Sequence, residues 1–183
     1  MTATTLDPKT ALVLIDLQKG IVALPTAHPA AEVVERSARL AAAFRERGLP
    51  VVLVNVTGGA PGRTEGPARG GNPPADWAEL VPELDQQPSD LLVTKKTWGA
   101  FHGTPLDMEL RRLGVTQIVL AGIATSIGVE STARSAYEHG YHVTVATDAV
   151  TDMDADAHRN SVEKIFPRLG ETDTTDALVK LLG

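Results

Sequence analysis

The sequence predicts a three-layer α/β/α fold, in which helices cover both faces of a Rossmann-like, doubly wound parallel sheet of five to six strands. Two observations support this prediction. Five short runs rich in Val, Ile and Leu are mostly continuous rather than alternating, as expected of strands that are buried on both faces. Segments with helical periodicity lie between most of them, and strands that alternate with helices form right-handed β-α-β units in a parallel sheet.

The apolar runs define the predicted strands in chain order. These strands comprise residues 11–15, 51–56, 91–93, 118–123 and 142–146. A sixth strand is expected near residues 168–171, where the apolar signal is weaker. The predicted helices comprise residues 30–47, 104–113, 127–139, 155–166 and 174–182. The first of them ends before Gly48 and the third before Gly140, and glycine is the commonest residue after a helix.

Composition indicates one ordinary globular domain over residues 1–183, since 43% of the residues are hydrophobic and 22% are charged. The formal net charge of −6 makes nucleic acid and membrane surfaces poor partners, because an acidic surface repels phosphate groups. The first residues lack a basic region followed by an apolar stretch, so we expect a cytoplasmic protein. The chain contains no cysteine, which excludes thiol nucleophiles and thiolate metal sites.

One segment departs from the alternating pattern. Residues 57–77 contain 6 glycines and 4 prolines, so they are predicted to form a long loop rather than a helix or strand. Loops of this length in compact domains are commonly lids or binding loops. Because the segment follows the second strand, it should emerge at the carboxyl edge of the sheet.

Three candidate features converge on that edge, where open α/β sheets bind ligands. Asp16 ends the first strand, Lys95 ends the third, and the fourth strand continues into a small-residue segment around Gly128. Each has an ordinary structural explanation as a turn residue, a solvated strand end or a close-packing glycine. Their shared position predicts a site, although spacing alone does not identify a reaction.

Three ordered motifs carry a resemblance to a known family. Asp16 lies in Leu-Ile-Asp-Leu-Gln, and Lys95 stands six residues before Phe101 in an Ala-Phe-x-x-Thr stretch. Residues 122–133 read Gly-Ile-Ala-Thr-Ser-Ile-Gly-Val-Glu-Ser-Thr-Ala. From about residue 11 to the C-terminus, the chain resembles the isochorismatase-like superfamily of cysteine hydrolases. The third motif of that family usually has cysteine where this chain has Gly128.

The resemblance implies roles for individual residues. Asp16 and Lys95 would be the catalytic acid/base pair, and Gly128 would stand at the nucleophile position. The bond between Ile123 and Ala124 would be cis. The resemblance also implies a set of substrate-binding residues, namely Gln18, Asn55, Trp98, Phe101, Ile123, Ala124, Ser126 and Ile127. Among them, Asn55 is the nearest polar substitute for a family glutamine, and Ser126 replaces a common aspartate.

The missing cysteine leaves three functions open. The first is hydrolysis without a covalent intermediate, as in the true isochorismatases, which also have glycine at this position and release pyruvate from an enolpyruvyl ether. Its substrate would be small and carboxylated, with Arg63 or Arg69 as possible carboxylate partners. The second is an amide or lactam hydrolase that uses activated water or a hydroxyl of Thr125, Ser126 or Ser131. The third is a catalytically inactive binding or assembly protein.

The resemblance also bears on metals and on assembly. Nicotinamidases of the superfamily carry a histidine-containing metal site after the second strand, a region without histidine here, and the five histidines show no ligand spacing. We therefore expect neither a metal nor another cofactor. Because members of the superfamily are commonly oligomeric, we expect a homodimer or a higher homo-oligomer.

Overall fold

The structure is a computed structural model that describes residues 2–65 and 73–183. Its strands are β1 (Thr10–Ile15), β2 (Val51–Val56), β3 (Leu91–Lys95), β4 (Gln117–Ile123), β5 (His142–Thr151) and β6 (Glu171–Asp173). They form one parallel sheet in the order β3-β2-β1-β4-β5-β6. The predicted three-layer, doubly wound fold is confirmed.

Helices cover both faces of the sheet and connect most of its strands. They are α1 (Lys19–Val22), α2 (Ala30–Glu46), α3 (Leu106–Arg112), α4 (Glu130–Glu138), α5 (Ala155–Asn160), α6 (Phe166–Leu169) and α7 (Thr175–Leu181). A π-helical turn, Thr125–Val129, leads from β4 into α4, and a second, Ser161–Ile165, joins α5 to α6. No helix among the described residues is long and apolar enough to cross a membrane.

Two apolar clusters hold the three layers together. On one face, α2 and α7 pack through Leu40, Phe44 and Leu178 onto the sheet. On the other face, α3, α4 and α6 pack through residues that include Leu110 and Phe166. All six residues of β1 are buried, as expected for a central strand that is covered on both sides.

The elements differ from the sequence prediction mainly in the C-terminal half. β5 continues five residues beyond the predicted end at Ala146, after a register shift opposite Leu120 and Gly122 of β4. β6 begins at Glu171, later than expected, because the preceding residues form α6. The short α1 was not predicted. Residues 57–65 and 73–77, the described part of the Gly/Pro-rich loop, contain no helix or strand, as predicted.

The strand order positions the site. From β1 the chain turns through α2 to β2, and the later return to β4 places that strand on the other side of β1. The strand order therefore reverses between β1 and β4. The segments that follow these two strands run away from each other at this point. A crevice opens at such a point in doubly wound sheets.

Candidate active site

Asp16 and Lys95 form a buried ion pair at this crevice. Asp16 follows β1, and Lys95 ends β3, two strands away, so that its long side chain reaches past β2. Lys95 Nζ donates a hydrogen bond of 2.7 Å to Asp16 Oδ2 and another of 3.2 Å to the Thr97 carbonyl oxygen. The whole residues are only 6% and 2% exposed, respectively. A buried pair of this kind must be held in good geometry to offset the cost of removing two charges from water.

The carboxyl group of Asp16 is not fully paired. Its Oδ1 atom is buried and has no hydrogen-bond partner among the described residues. Burial raises the pKa of Asp16 to about 6, although the Lys95 ammonium and its hydrogen bond act to lower it. Asp16 also adopts a φ of 53°, a left-handed conformation that aspartate tolerates better than most residues. A carboxyl group with such a pKa can hold or release a proton near neutral pH.

Gly128 lies beside this carboxyl group, in the π-helical turn after β4. A Cβ atom at position 128 would be 3.3 Å from Asp16 Oδ2 and 3.5 Å from the carbonyl oxygen of Trp98. It would also be 2.9 Å from Cγ2 of Ile15, which is closer than real Cβ contacts. The glycine therefore leaves a small space next to Oδ2 that any other residue would fill. The structure thus brings Asp16, Lys95 and Gly128 together.

A cavity of about 700 Å³ opens above these three residues. Trp98, Ile123, Ala124 and Ile127, four of the eight predicted substrate-binding residues, line it. The peptide bond between Ile123 and Ala124 is cis. The volume lies within the range of roughly 300–1,000 Å³ that is typical of small-molecule sites.

The other four predicted residues do not line the cavity. Gln18 is fully buried and holds the backbone of Val56 and Trp77 through its side-chain amide. Asn55 accepts a hydrogen bond from Thr94 and donates one to the Ala78 carbonyl oxygen, on the α2 face of the sheet. Its side chain points away from the cavity because successive residues of a strand face opposite sides, and its neighbour Val56 is the one that lines the cavity.

Phe101 and Ser126 have structural contacts instead. Phe101 packs in the core against Tyr141, with ring centroids 5.9 Å apart. The backbone N–H and the hydroxyl of Ser126 both donate to Oδ2 of Asp152, at 2.7 and 2.8 Å. Asp152, which the sequence did not single out, is buried at the end of β5 and anchors the turn that carries Gly128.

The alternative hydroxyl nucleophiles do not face the cavity either. The side chain of Thr125 is completely buried, and its hydroxyl lies 2.9 Å from Nδ1 of His158. This histidine in turn packs against His28, with ring centroids 4.6 Å apart, a contact that the sequence spacing did not reveal. Burial lowers the pKa of His158, with a contribution from His28, so its neutral form is favoured. Ser131 lies against Gly99 and is not among the lining residues.

Two further expectations concern ions. Among residues 2–65 and 73–183, no group of three or more His, Asp or Glu side chains could hold a metal ion. Arg63 is exposed and does not line the cavity, and Arg69 lies outside the described residues. Asp16 and Lys95 are accordingly the two charged side chains among the described residues that line the cavity.

Several lining residues were missed by the sequence analysis. Ile21 and Leu24 come from α1 and the residues after it, Trp77 ends the Gly/Pro-rich loop, and Met153 follows β5. The only available signal was that the loop leaves the carboxyl edge of the sheet and contains one of the two tryptophans in the chain.

Comparison with known proteins agrees with this geometry. The isochorismatase domain model matches residues 10–177. An uncharacterised isochorismatase family protein, YwoC of Bacillus subtilis, is 46% identical over 94% of this chain and 93% of its own length. An isochorismatase family protein from Burkholderia thailandensis, whose structure is solved, is 46% identical with a TM-score of 0.93, over 97% of both chains. The ureidoacrylate amidohydrolase RutB of Methylobacterium radiotolerans is 32% identical over 82% of this chain and 67% of its own.

The fold is a doubly wound α/β fold with the buried Asp16–Lys95 pair at its switch point. The family match covers most of the chain, and the chain belongs to the isochorismatase family. Its members are hydrolases, and those similar to this chain include amidohydrolases. The reaction of this chain must therefore be argued from its own site.

Proposed function

We propose that this hydrolase cleaves an enol ether by acid catalysis and releases pyruvate, as isochorismatases do, without a covalent enzyme intermediate. One observation carries the proposal. The Asp16 carboxyl group, whose pKa is raised to about 6, lies at the cavity beside a glycine where family members usually have their cysteine. A protonated carboxyl group can supply the proton with which this reaction begins.

The reaction uses Asp16 as a proton donor and then as an acceptor. The Asp16 carboxyl group gives its proton to the terminal CH₂ carbon of the enol ether, and the carbon that bears the ether oxygen becomes an oxocarbenium ion. Water adds to this carbon while its proton returns to Asp16. In the resulting hemiketal, Asp16 gives its proton to the ether oxygen as the bond between carbon and this oxygen breaks, and it takes up the proton of the new hydroxyl group. The ether oxygen leaves as an alcohol, and the remaining fragment is pyruvate.

Lys95 and Gly128 support this step in different ways. The Lys95 ammonium holds Oδ2 of Asp16 at 2.7 Å and stabilises the carboxylate that remains after proton transfer. Gly128 lines the cavity beside the same oxygen and has no side chain that would keep the reacting carbon or the water away from it. Catalysis of this kind contributes typically about 10²–10⁴-fold to a rate.

The charge of the site favours a substrate with a single carboxylate. When Asp16 is protonated and ready to react, the positive charge of Lys95 is no longer balanced among the described residues that line the cavity. A carboxylate on the substrate would restore this balance and further favour protonated Asp16. A substrate with one carboxylate therefore fits the charge of this site.

Amide hydrolysis is the second candidate, because the chain is 32% identical to a ureidoacrylate amidohydrolase. The hydroxyls of Thr125 and Ser126 are engaged with His158 and Asp152, so the nucleophile would have to be water. Asp16 would then act as a base and would have to be ionised, which is the opposite requirement from that of the enol ether reaction.

The test is a pair of product screens on the purified protein. Isochorismate and simpler enolpyruvyl ethers are incubated with the protein, and pyruvate is measured with lactate dehydrogenase. A panel of amides and ureides is screened in parallel for ammonia. We expect pyruvate that depends on the protein and is lost in Asp16→Asn. Ammonia without pyruvate would instead support the amidase. The absence of both products would support an inactive binding protein.

A further inference from the structure

Both tryptophans of the chain line the same cavity, although the chain is poor in aromatic residues overall. Trp77 and Trp98 are the two tryptophans among 183 residues, and aromatic residues make up only 4% of the sequence. Trp98 is 54% exposed although it is large and apolar, and Trp77 is partly exposed. Exposed aromatic surface at a cavity is available for stacking on a ligand.

The position of Trp77 is fixed by a glycine. The Trp77 carbonyl oxygen accepts hydrogen bonds from the Gly20 N–H at 3.0 Å and from Nε2 of Gln18 at 3.2 Å. The indole lies so close over Gly20 that a Cβ atom at this position would overlap its five-membered ring. Gly20 is the second residue of α1, where glycine is a poor helix former, so its occurrence is better explained by the indole that it accommodates.

Trp98 is held next to the reacting groups. Its carbonyl oxygen lies 3.5 Å from the point where a Cβ atom at Gly128 would stand. The preceding residue, Thr97, accepts a hydrogen bond from Lys95 Nζ at 3.2 Å. The Trp98 backbone is therefore fixed beside the Asp16–Lys95 pair, and Trp98 is one of the residues that line the cavity.

The remaining wall is largely apolar. Ile21, Leu24, Ile127 and Met153 line it, and Leu24 and Met153 are 39% and 43% exposed. A charged group placed against these side chains would lose hydration without gaining a partner, which is strongly unfavourable. A flat apolar ring placed there would gain both burial and stacking.

We infer that the leaving alcohol of the substrate carries a flat, uncharged, aromatic or similarly apolar ring, and that Trp77 and Trp98 select for it. This inference rests on the proposed function, because it describes the group that departs in the enol ether reaction. The reaction it specifies is that of an aryl enolpyruvyl ether with water, which gives a phenol and pyruvate. The substrate then has one carboxylate, on the pyruvyl part, and none on the ring.

Three enolpyruvyl ethers test this inference: the phenyl ether, the phenyl ether with a carboxylate on the ring, and the methyl ether. Pyruvate release gives kcat/KM for each. We expect the phenyl ether to exceed both of the others by at least about tenfold, since the ring carboxylate would be buried without a partner among the described lining residues and the methyl group cannot stack. Equal or higher kcat/KM for the ring carboxylate or for the methyl ether would overturn the inference.

Variants of the indole and of its support separate selection from a structural role. Trp77→Ala and Gly20→Ala, which displaces the indole, should raise KM for the phenyl ether by about tenfold more than KM for the methyl ether. Trp77→Phe should recover most of the loss. Gly62→Ala is the matched control, because a Cβ atom there meets no atom within 4 Å. An equal loss for both ethers in Trp77→Ala would show a structural role and overturn the inference.

A binding measurement keeps the inference independent of turnover. The phenyl ether of lactate has the shape of the substrate but no double bond to protonate, so it binds without reacting. Because both tryptophans line the cavity, its binding should quench the intrinsic tryptophan fluorescence. Saturable quenching without pyruvate from any ether would overturn the proposed reaction and leave the ring selection standing. Pyruvate release without a preference for the phenyl ether would overturn the ring selection and leave the proposed reaction standing.

Discussion

Oδ2 of Asp16 accepts a hydrogen bond of 2.7 Å from Nζ of Lys95, while Oδ1 of the same carboxyl group is buried and has no partner in the part of the chain that the structure describes. The pair is thus only half satisfied. Burial and the bare oxygen disfavour the ionised carboxylate, and the ammonium favours it. The balance raises the pKa of Asp16 to about 6, which makes the group a usable proton donor near neutral pH.

Asp16→Asn should lower kcat by about 10²–10⁴-fold, because the amide of asparagine cannot transfer the required proton. Asparagine tolerates the left-handed backbone at this position, so the fold should be retained. The melting temperature should nevertheless fall, since the Lys95 ammonium loses its countercharge in the interior. Steady-state kinetics and circular dichroism of the same preparation measure both effects. Near-full activity in this variant would remove Asp16 from the mechanism.

Lys95→Met should raise the pKa of Asp16 and so change how the stability of the protein depends on pH. The Lys95 ammonium lowers the pKa of Asp16, so its removal should raise that pKa further above its ordinary value. The folded state then holds the Asp16 proton to higher pH than the unfolded state does, and stability is lost as pH rises through that interval. The melting temperatures of Lys95→Met and of the wild-type protein are measured at pH 5 and pH 8, and the variant should lose more stability at pH 8. An equal loss of stability at both pH values would contradict this prediction.

Gly128→Cys should not create an efficient amidase. The new Cβ atom would lie 2.9 Å from Cγ2 of Ile15, so the side chains must shift, and the thiol would still need to be ionised and aligned with a base. It should also reduce pyruvate release by filling the space beside Asp16. Gly128→Ala is the control that adds the same Cβ atom without a thiol. Prompt ammonia release by the cysteine variant alone would show a cysteine-hydrolase site that lacks only its nucleophile.

The protein should be at least a dimer in solution. The expectation comes from the family, and the edge strand β3 agrees with it because Leu92 is 56% exposed on one of its faces. Sedimentation velocity at micromolar concentration should give at least twice the 19.3 kDa of one chain. A particle with the mass of one chain would contradict the prediction; a closed symmetric assembly is the usual alternative to a monomer.

The sequence was sufficient for the fold and for the centre of the site. Buried parallel strands have continuous apolar runs, and their carboxyl ends share one edge, so Asp16, Lys95 and the segment before Gly128 had to come together. The direction of Asn55 was not predictable in the same way, because it depends on which face of β2 each residue occupies. A shift of one residue along the strand moves a side chain to the other face.

The walls of the cavity were less predictable than its floor. Trp77 reaches it only because the end of the Gly/Pro-rich loop is tied to α1, through the bonds from Gly20 and Gln18 to the Trp77 backbone. Such contacts join residues about sixty positions apart and have no periodicity that a sequence could show. Asp152 was missed for a related reason, since its contact with Ser126 depends on β5 continuing beyond Ala146.

The pH dependence of kcat/KM for an enolpyruvyl ether tests the central claim most directly, because Asp16 must be protonated to act as the acid. With its pKa near 6, the protonated fraction falls about tenfold for each pH unit above that value. We expect kcat/KM to be constant at low pH and to decline in this way above pH 6, with the decline absent from the residual activity of Asp16→Asn. A kcat/KM that rises through pH 6 to a plateau would show that Asp16 acts as a base, and would contradict acid catalysis.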